Sequence, residues 1–410
     1  MDFHFPEEAE AFRAQLRAFI DQELPDWWRG MFIGGEQVWP FTIEFCRKLA
    51  GRGWLTRAWP KEYGGQGGTL TSLADARGPL TQTGEGISHW EQAVVREEMW
   101  AAHEPRGPQY MNLNFIGPTL MMFGSEEQKR RHMLPMARGE VIWCQGFSEP
   151  NAGSDLASLE TRAVAVEGGF RISGQKIWTS YADHASWCFL LARTNPEVPQ
   201  HKGITVFLLD MQSPGLTVRP FVALSGPSEL NEVFLDDVFV PATNVVGEVN
   251  NGWHIITTAL NFERIGVARY ARSKATLDLV CDYARRTKRD GHALAKDPLI
   301  RQRLAQLQIE YLVARTLNYR VVDMQARGLV PTYEASIARV HNSLLDQSVG
   351  AAGMEILGFD GLLEPGDEAA PYDGMVDWAW RHSVQATIAI GTIEIQKNLI
   401  AQRGLGLPRG

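Results

Sequence analysis

The apolar residues of this chain change their spacing twice, and those two changes restrict the fold more than any single motif. Up to about residue 135 they recur every three to four positions. EEAEAFRAQLRAFIDQEL sets Phe12, Leu16 and Phe19 on one helical face and ends before Pro25. TIEFCRKLAGRGW repeats the pattern and stops at glycine, and WPKEYGGQGGTL reads as a Gly-rich turn. Farther on, Ser125 is a plausible N-cap with Gln128 three residues later, the arrangement of a capping box. From roughly 136 to 245 the period shortens to two. TRAVAVEGGFRISGQKIWTS alternates around a Gly168–Gly169 hairpin turn, and ASWCFLLART, GITVFLLDM, LTVRPF and NEVFLDDVFVP continue as short strands. Strands without helices between them predict an antiparallel sheet or barrel. From about 250 the helical period returns: Ile300, Leu304, Leu307, Tyr311, Ala314 and Leu317 keep a 3–4 spacing after Pro298. Four long helices are expected there, enough for a bundle. The expected fold class is therefore α+β: a helical domain over 1–135, an antiparallel β domain over 136–245 and a four-helix bundle over 246–410.

Composition excludes several partners. A net charge of −8 argues against nucleic acid, which needs a basic field. No run of eighteen apolar residues is present to form a membrane span. The opening MDFHFPEEAEAF is acidic and lacks the basic-then-apolar order of a signal peptide, so a cytoplasmic protein is expected. Cys46, Cys144, Cys188 and Cys281 have no C-x-x-C spacing and read as free thiols, and the ten histidines form no metal-ligand pattern. No metal site is expected.

No G-x-G-x-x-G follows a strand, and no Walker A or G-x-S-x-G sequence occurs. Ser173 to Lys176 matches S-x-x-K but stands in a strand turn without companion motifs. Two other stretches carry more. In ALNFERIGVARY, Ile256, Leu260, Glu263 and Val267 fall on one helical stripe. A carboxylate on an apolar stripe loses hydration, so it must be paired, neutralised or used. In IWCQGFSEPNAGSDLASLETRA a strand opens into a loop dense in hydroxyls and small residues. Such a loop can aim hydroxyl and backbone N–H groups at a flavin edge or a phosphate, or it is simply a turn.

FSEPNAGSD, ISGQKIWTS, NEVFLDDVFVP and GTIEIQ, in that order, resemble successive signatures of the acyl-CoA dehydrogenase family. RAWPKEYGGQGG and FGSEEQKRRHMLP in the first block are similar to that family as well, so the resemblance spans essentially the whole chain. It implies FAD, held between the β domain and the C-terminal helices. Gln145, Phe147 and Ser148 then match residues lining the flavin on the β side, and Trp178 and Ser180 match an aromatic wall and a hydroxyl contact. Ser154 matches a serine near the pantetheine arm of CoA, and Thr392 and Glu394 match a flavin-contacting helix start. The implied reaction removes the α-proton of an acyl-CoA thioester while hydride leaves the β-carbon, and electrons pass to an electron-transferring flavoprotein. Many members carry the base just before the terminal Gly-Thr, where this chain has Ile390. Others carry it in an L-x-x-E-R sequence on the first C-terminal helix, which LNFERIG matches with Glu263. Arg264 matches a residue approaching CoA, and the Ile390 backbone N–H would polarise the thioester oxygen. The alternative for Glu263 is an ion pair with a nearby arginine.

The chain departs from the pattern in the third block. Where homotetrameric members present Arg-x-x-Phe-Gly to a neighbour's FAD, this chain has TKRDG, with Thr287 and Asp290 in place of arginine and phenylalanine. Pro298 replaces a glutamine, and Glu355 in EILGF replaces an amide. A carboxylate beside a pyrophosphate is repelled. These changes imply a related second subunit in an α2β2 assembly, unless Arg285, Arg286 or Arg289 compensates and the chain is a homo-oligomer. Two other readings stay open: a non-catalytic subunit that binds FAD and acyl-CoA, and a flavin oxidase or monooxygenase on the same fold.

Overall fold

A computed structural model describes the chain except residues 1–4, 32, 34, 68, 71–81, 84–88, 267, 328, 330 and 409–410, and except the side chains of 69, 70, 82, 83, 227, 228 and 260–266. The first block holds α1 (Glu7–Glu23), α2 (Val38–Gly51), a strand pair β1 (Thr69–Leu70) and β2 (Gln82–Thr83), and α3 (His89–Ala101). A short α4 (Gln109–Met111) runs through a π turn (Asn112–Ile116) into α5 (Gly117–Phe123), and α6 (Glu126–Ala137) follows. Phe12, Leu16 and Phe19 of α1 are buried, as their spacing requires. The capping box at α6 forms: Gln128 N–H donates to Ser125 Oγ at 3.2 Å, and Ser125 N–H donates to Gln128 Oε1 at 3.1 Å. In the Gly-rich turn, Gly65 is required by close approach, since a Cβ there would stand 1.9 Å from the Trp59 carbonyl.

The middle block contains β3 (Trp143–Gly146), β4 (Arg162–Val166), β5 (Gly169–Lys176), β6 (Trp187–Arg193), β7 (Ile204–Asp210), β8 (Leu216–Ala223), β9 (Gly226–Pro241) and β10 (Val245–Val246). Among the described residues these eight form one sheet in the order β10-β7-β6-β4-β5-β9-β8, with β3 beside β6. Most pairs are antiparallel, but β3 runs parallel to β6, and β4 touches β6 in parallel through Arg162 and Arg193. The sheet is therefore mixed. β3 enters from α6 and no hairpin sets its direction, so alternation alone could not give its sense. The β4–β5 turn falls one residue earlier than its glycines suggest, at Glu167–Gly168, because Val166 pairs with Gly169.

The third block is helical: α7 (Gly252–Gly266), α8 (Arg269–Arg286), then the small hairpin β11 (Lys288–Arg289) and β12 (His292–Ala293), α9 (Pro298–Ala326), α10 (Glu334–Leu357), α11 (Met375–Ser383) and α12 (Ile393–Leu399). α10 packs against α8, α9 and α11, and the fourth member of this bundle, α11, is only 9 residues long. α10 also carries α7, α12 and the turn at 384–387. On α9, Leu307 and Ala314 are buried, while Ile309, Leu312 and Val313 form an exposed apolar face. No helix among the described residues is long and apolar enough to cross a membrane.

Candidate active site

The β side of the site is two loops locked together. Gln145 lies on β3 and pairs in register with Phe189 of β6. Its Nε2 is buried and has no acceptor among the described residues. Phe147 packs edge-on to Phe189 at 6.3 Å and near Phe115 at 5.9 Å. The Ser148 carbonyl accepts from Ile177 N–H at 3.0 Å, which joins FSEPNAGSD to KIWTS. A buried ion pair strengthens that joint. Lys176 Nζ, fully buried, donates to Glu149 Oε1 at 2.7 Å and to the Phe147 carbonyl at 3.1 Å. Glu149 also accepts from the backbone N–H of Glu160 at 2.6 Å and Thr161 at 2.9 Å. Burial opposes its charge, but Lys176 and those donors hold the carboxyl below the usual carboxylate range. Both residues lie inside recognised motifs, Lys176 as the end of the S-x-x-K match, yet their pairing was not legible in the sequence. The available signal was one acid and one base in adjacent loops.

Trp178 and Ser180 follow at once. Trp178 has φ +61° and its indole is 57% exposed, edge-on to Phe221 at 5.2 Å. Tyr181 has φ +66° and is buried. Left-handed backbone at residues other than glycine costs about 1–3 kcal/mol each, so the loop must be held. Asn231, in NEVFLDDVFVP, does this: its Nδ2 donates to the Thr179 carbonyl at 3.1 Å, its carbonyl accepts from Thr179 N–H at 3.0 Å, and its Nδ2 reaches Asp183 at 3.2 Å. Thr179 Oγ1 is buried without a partner among the described residues, and Ser180 is half-buried. Ser154 is exposed on the loop beyond the Glu149–Ala152 bridge.

The C-terminal group sits on a separate element. Ile390 has φ +58° and Gly391 φ +79°. Thr392 caps α12, its side chain accepting from Ile395 N–H at 3.3 Å, and Glu394 is exposed in the first turn. Arg339 of α10 holds the preceding turn by donating to the carbonyls of Ala386 at 3.1 Å and Ala389 at 2.6 Å. Gln396 is buried beneath this turn with neither amide atom partnered among the described residues, and a Cβ on Gly391 would meet its Nε2 at 2.7 Å. Arg339 and Gln396 were not legible as site residues, since only packing brings them under residue 390.

Glu263 and Arg264 fall on α7, as their stripe predicts. α7 packs on β7, the π turn and α10, and Ile255, Ile256 and Ala259 of this helix are buried. The side chains of Leu260, Glu263 and Arg264, and Val267 altogether, lie outside the described residues.

The departures have local structural roles. Thr287 is the C-cap of α8, and Asp290 with Gly291 forms the β11–β12 turn at φ +52° and +79°. Asp-Gly at two left-handed positions is the pattern a two-residue hairpin turn demands. Pro298 opens α9, and Asp297 caps it by accepting from Leu299 N–H at 2.8 Å. Glu355 is exposed on α10, Arg285 and Arg286 are exposed on α8 and Arg289 on β11, and Arg286 pairs with Asp282 at 2.9 Å.

A planar, heteroatom-edged ring suits the β side. The exposed indole of Trp178 offers a flat wall, and Gln145 Nε2 and Thr179 Oγ1 are polar atoms without partners among the described residues.

Comparison with known proteins bears on the family and the fold. Three family models match: "Acyl-CoA dehydrogenase, N-terminal domain" over residues 6–77 and 78–140, "Acyl-CoA dehydrogenase, middle domain" over 144–238, and "Acyl-CoA dehydrogenase, C-terminal domain" over 250–405. The chain is similar to the acyl-CoA dehydrogenase IpdE1 of Mycobacterium tuberculosis, 32% identical over 98% of this chain and 99% of that protein. Among solved structures it resembles the Tcur3481-Tcur3483 steroid ACAD at 32% identity and TM-score 0.86, covering 100% of both chains. It also resembles the ChsE4-ChsE5 complex from Mycobacterium tuberculosis at 30% identity and TM-score 0.85, again over 100% of both.

Proposed function

The chain belongs to the acyl-CoA dehydrogenase family, an FAD-dependent oxidoreductase family, and from that premise we propose that Glu263 is the base of an α,β-dehydrogenation yielding a trans-2-enoyl-CoA. One observation carries the proposal: the other place for a base, residue 390, is an isoleucine in a strained turn, while LNFERIG lies on a helix packed between the sheet and the bundle.

In this reading Glu263 takes the α-proton, and Arg264 and Ser154 orient the CoA portion. The Ile390 N–H donates to the thioester oxygen and so acidifies the α-carbon. Trp178, Ser180, Gln145, Phe147 and Ser148 hold the cofactor from the β side, and Thr392 and Glu394 from the α12 end. When bound, FAD supplies the acceptor for the hydride leaving the β-carbon. Electrons then pass to an electron-transferring flavoprotein, and the protein works in the cytoplasm.

Glu263→Gln tests the assignment. Flavin should stay bound while turnover falls by about 10²–10⁴-fold, the usual contribution of a positioned base. Undiminished turnover would remove Glu263 from the chemistry. Should the wild-type protein bind flavin and acyl-CoA without turnover, the non-catalytic subunit reading, which Ile390 favours, takes its place.

We also infer that the chain is the catalytic member of an α2β2 heteromer. Support comes from the relatives solved as two-component complexes, from Thr287, Asp290, Pro298 and Glu355, and from the exposed apolar face of α9. The steroid-linked relative suggests a bulky acyl group. Flavin content decides the assembly: the chain purified alone should be colourless and should gain flavin with a related partner. A full complement of flavin in the lone chain would overturn the split site.

A further inference from the structure

Residues 389 and 390 are joined by one peptide group, and the two edges of that group have different partners. Its carbonyl, that of Ala389, accepts from Arg339 Nη2 at 2.6 Å. Its N–H, that of Ile390, is the donor assigned to the thioester oxygen. No cis peptide bond occurs among the described residues, so the carbonyl and the N–H of this planar group point in opposite directions. Whatever fixes the direction of the carbonyl therefore fixes the direction of the N–H. Arg339 is suited to that. It is buried on α10, and the same Nη2 also donates to the Ala386 carbonyl at 3.1 Å, so the guanidinium ties two points of the turn together.

The peptide needs such a hold. Ile390 has φ +58°, which a β-branched residue enters only at a cost, and Gly391 follows at φ +79°. Without a hold, the 389–390 peptide would relax toward ordinary backbone and carry the N–H away. Within the turn, Ile388 N–H and Ala389 N–H both donate to the Gln385 carbonyl, at 3.0 and 2.9 Å, and these bonds end one residue short of that peptide. The arginine also bears on the strength of the donor. A guanidinium is always protonated in a protein. A charged donor on the carbonyl draws electron density toward oxygen and leaves the N–H of the same group more positive.

We propose that Arg339 is a positioning residue of the reaction: it holds and polarises the 389–390 peptide so that the Ile390 N–H meets the thioester oxygen. The proposal rests on the dehydrogenation reading and adds to it a residue that acts through the backbone. The α-proton becomes acidic by a relay from guanidinium to carbonyl and from N–H to thioester oxygen, and the proton itself passes to Glu263. Loss of Arg339 should therefore act on the transition state, where negative charge gathers on that oxygen, more than on bound substrate.

The test is the infrared stretch of a bound thioester carbonyl, labelled with carbon-13 to stand clear of the protein bands. It uses flavin-loaded protein, purified with its second subunit where that is what retains the flavin. The probes are the 3-thia analogues of butyryl-, octanoyl- and palmitoyl-CoA, whose sulfur at the β position leaves no hydride to lose. In Glu263→Gln protein, where the probe keeps its α-proton, the bound stretch should lie below that of the probe in water. Arg339→Met in the same background should remove most of that displacement, and Arg339→Lys, which keeps a charge on a less fixed head, should remove less. With Glu263 restored, Arg339→Met should lower kcat by about tenfold to a hundredfold on the parent thioester turned over fastest, with KM changed less than about threefold. The loss of a whole oxyanion donor, about 10²–10³-fold, is the ceiling. A displacement unchanged in Arg339→Met overturns the proposal, and so does its absence with all three probes. A kcat that falls only in step with flavin content also overturns it, since the arginine would then serve the fold alone. The reaction is read separately, by flavin bleaching with the parent thioesters. A displacement lost in Arg339→Met, with no bleaching in the Glu263 protein, keeps the role of Arg339 and removes the dehydrogenation.

Discussion

The loops at 147–181 and the turn at 384–396 both carry residues of the proposed site, yet they are stabilised by different means. In the first, a lysine with no exposure bonds a glutamate in the neighbouring loop, and Asn231 clamps the left-handed backbone between Trp178 and Tyr181. In the second, the strained Ile390 is held by Arg339 through two carbonyls and by the capping threonine. A buried charge pair is unforgiving, because removing one partner strands the other. Hydrogen bonds from an arginine to carbonyls and a single cap are weaker and give a turn that can adjust. The difference predicts rigid β-side loops and a more compliant turn before α12.

That contrast can be broken at its strongest point. Lys176→Met should cost about 3–5 kcal/mol of stability in denaturant unfolding, as expected when one member of a buried pair is removed. A cost below ~1 kcal/mol would mean that the pair does not hold the loops. Next in size is a pH effect. Burial lowers the pKa of both His103 and His132 to about 4, and His382 is also lowered. The unfolded chain then binds more protons than the folded one between about pH 6.5 and 4, so stability should rise with pH across that window. Glu229, raised to about 7 by burial, and Asp377, also raised by burial, work in the opposite sense from their ordinary values upward, against those three histidines and His89, which burial lowers as well. Melting temperatures from pH 4.5 to 7 check the sign, and a flat or falling trend would contradict it.

On the helical side, Gly391→Ala should cost about 1–2 kcal/mol, the penalty of a left-handed residue with a side chain. The nearest obstacle to its Cβ is a flexible Gln396 amide, so the loss should remain that of backbone strain. Turnover measured beside stability would show whether the turn's shape also matters to chemistry. The smallest effect is expected for Thr392→Ala. Loss of an N-cap costs about 1 kcal/mol, and melting that shows no change would mean that α12 is held by packing alone.

The two sides also differed in how much of them could be read in advance. FSEPNAGSD and KIWTS were legible, and their residues do meet, through the Ser148 carbonyl and Ile177 N–H. Arg339 was not: it is one arginine on a long helix, 47 and 50 residues from the carbonyls it binds. Departures in TKRDG read as lost cofactor contacts, and the fold adds that Asp290–Gly291 is what its hairpin needs.

The sequence by itself determined the order of helical, β and helical segments, because hydrophobic period follows from local backbone geometry. It also determined the α6 capping box and the positions of the family motifs, since both are carried by residues close together in the chain. Tertiary structure alone decided the parallel sense of β3 beside β6, the burial of Lys176 against Glu149, and the hold of Arg339 on the turn before Ile390. Those depend on which distant segments lose water together, and no local spacing encodes that.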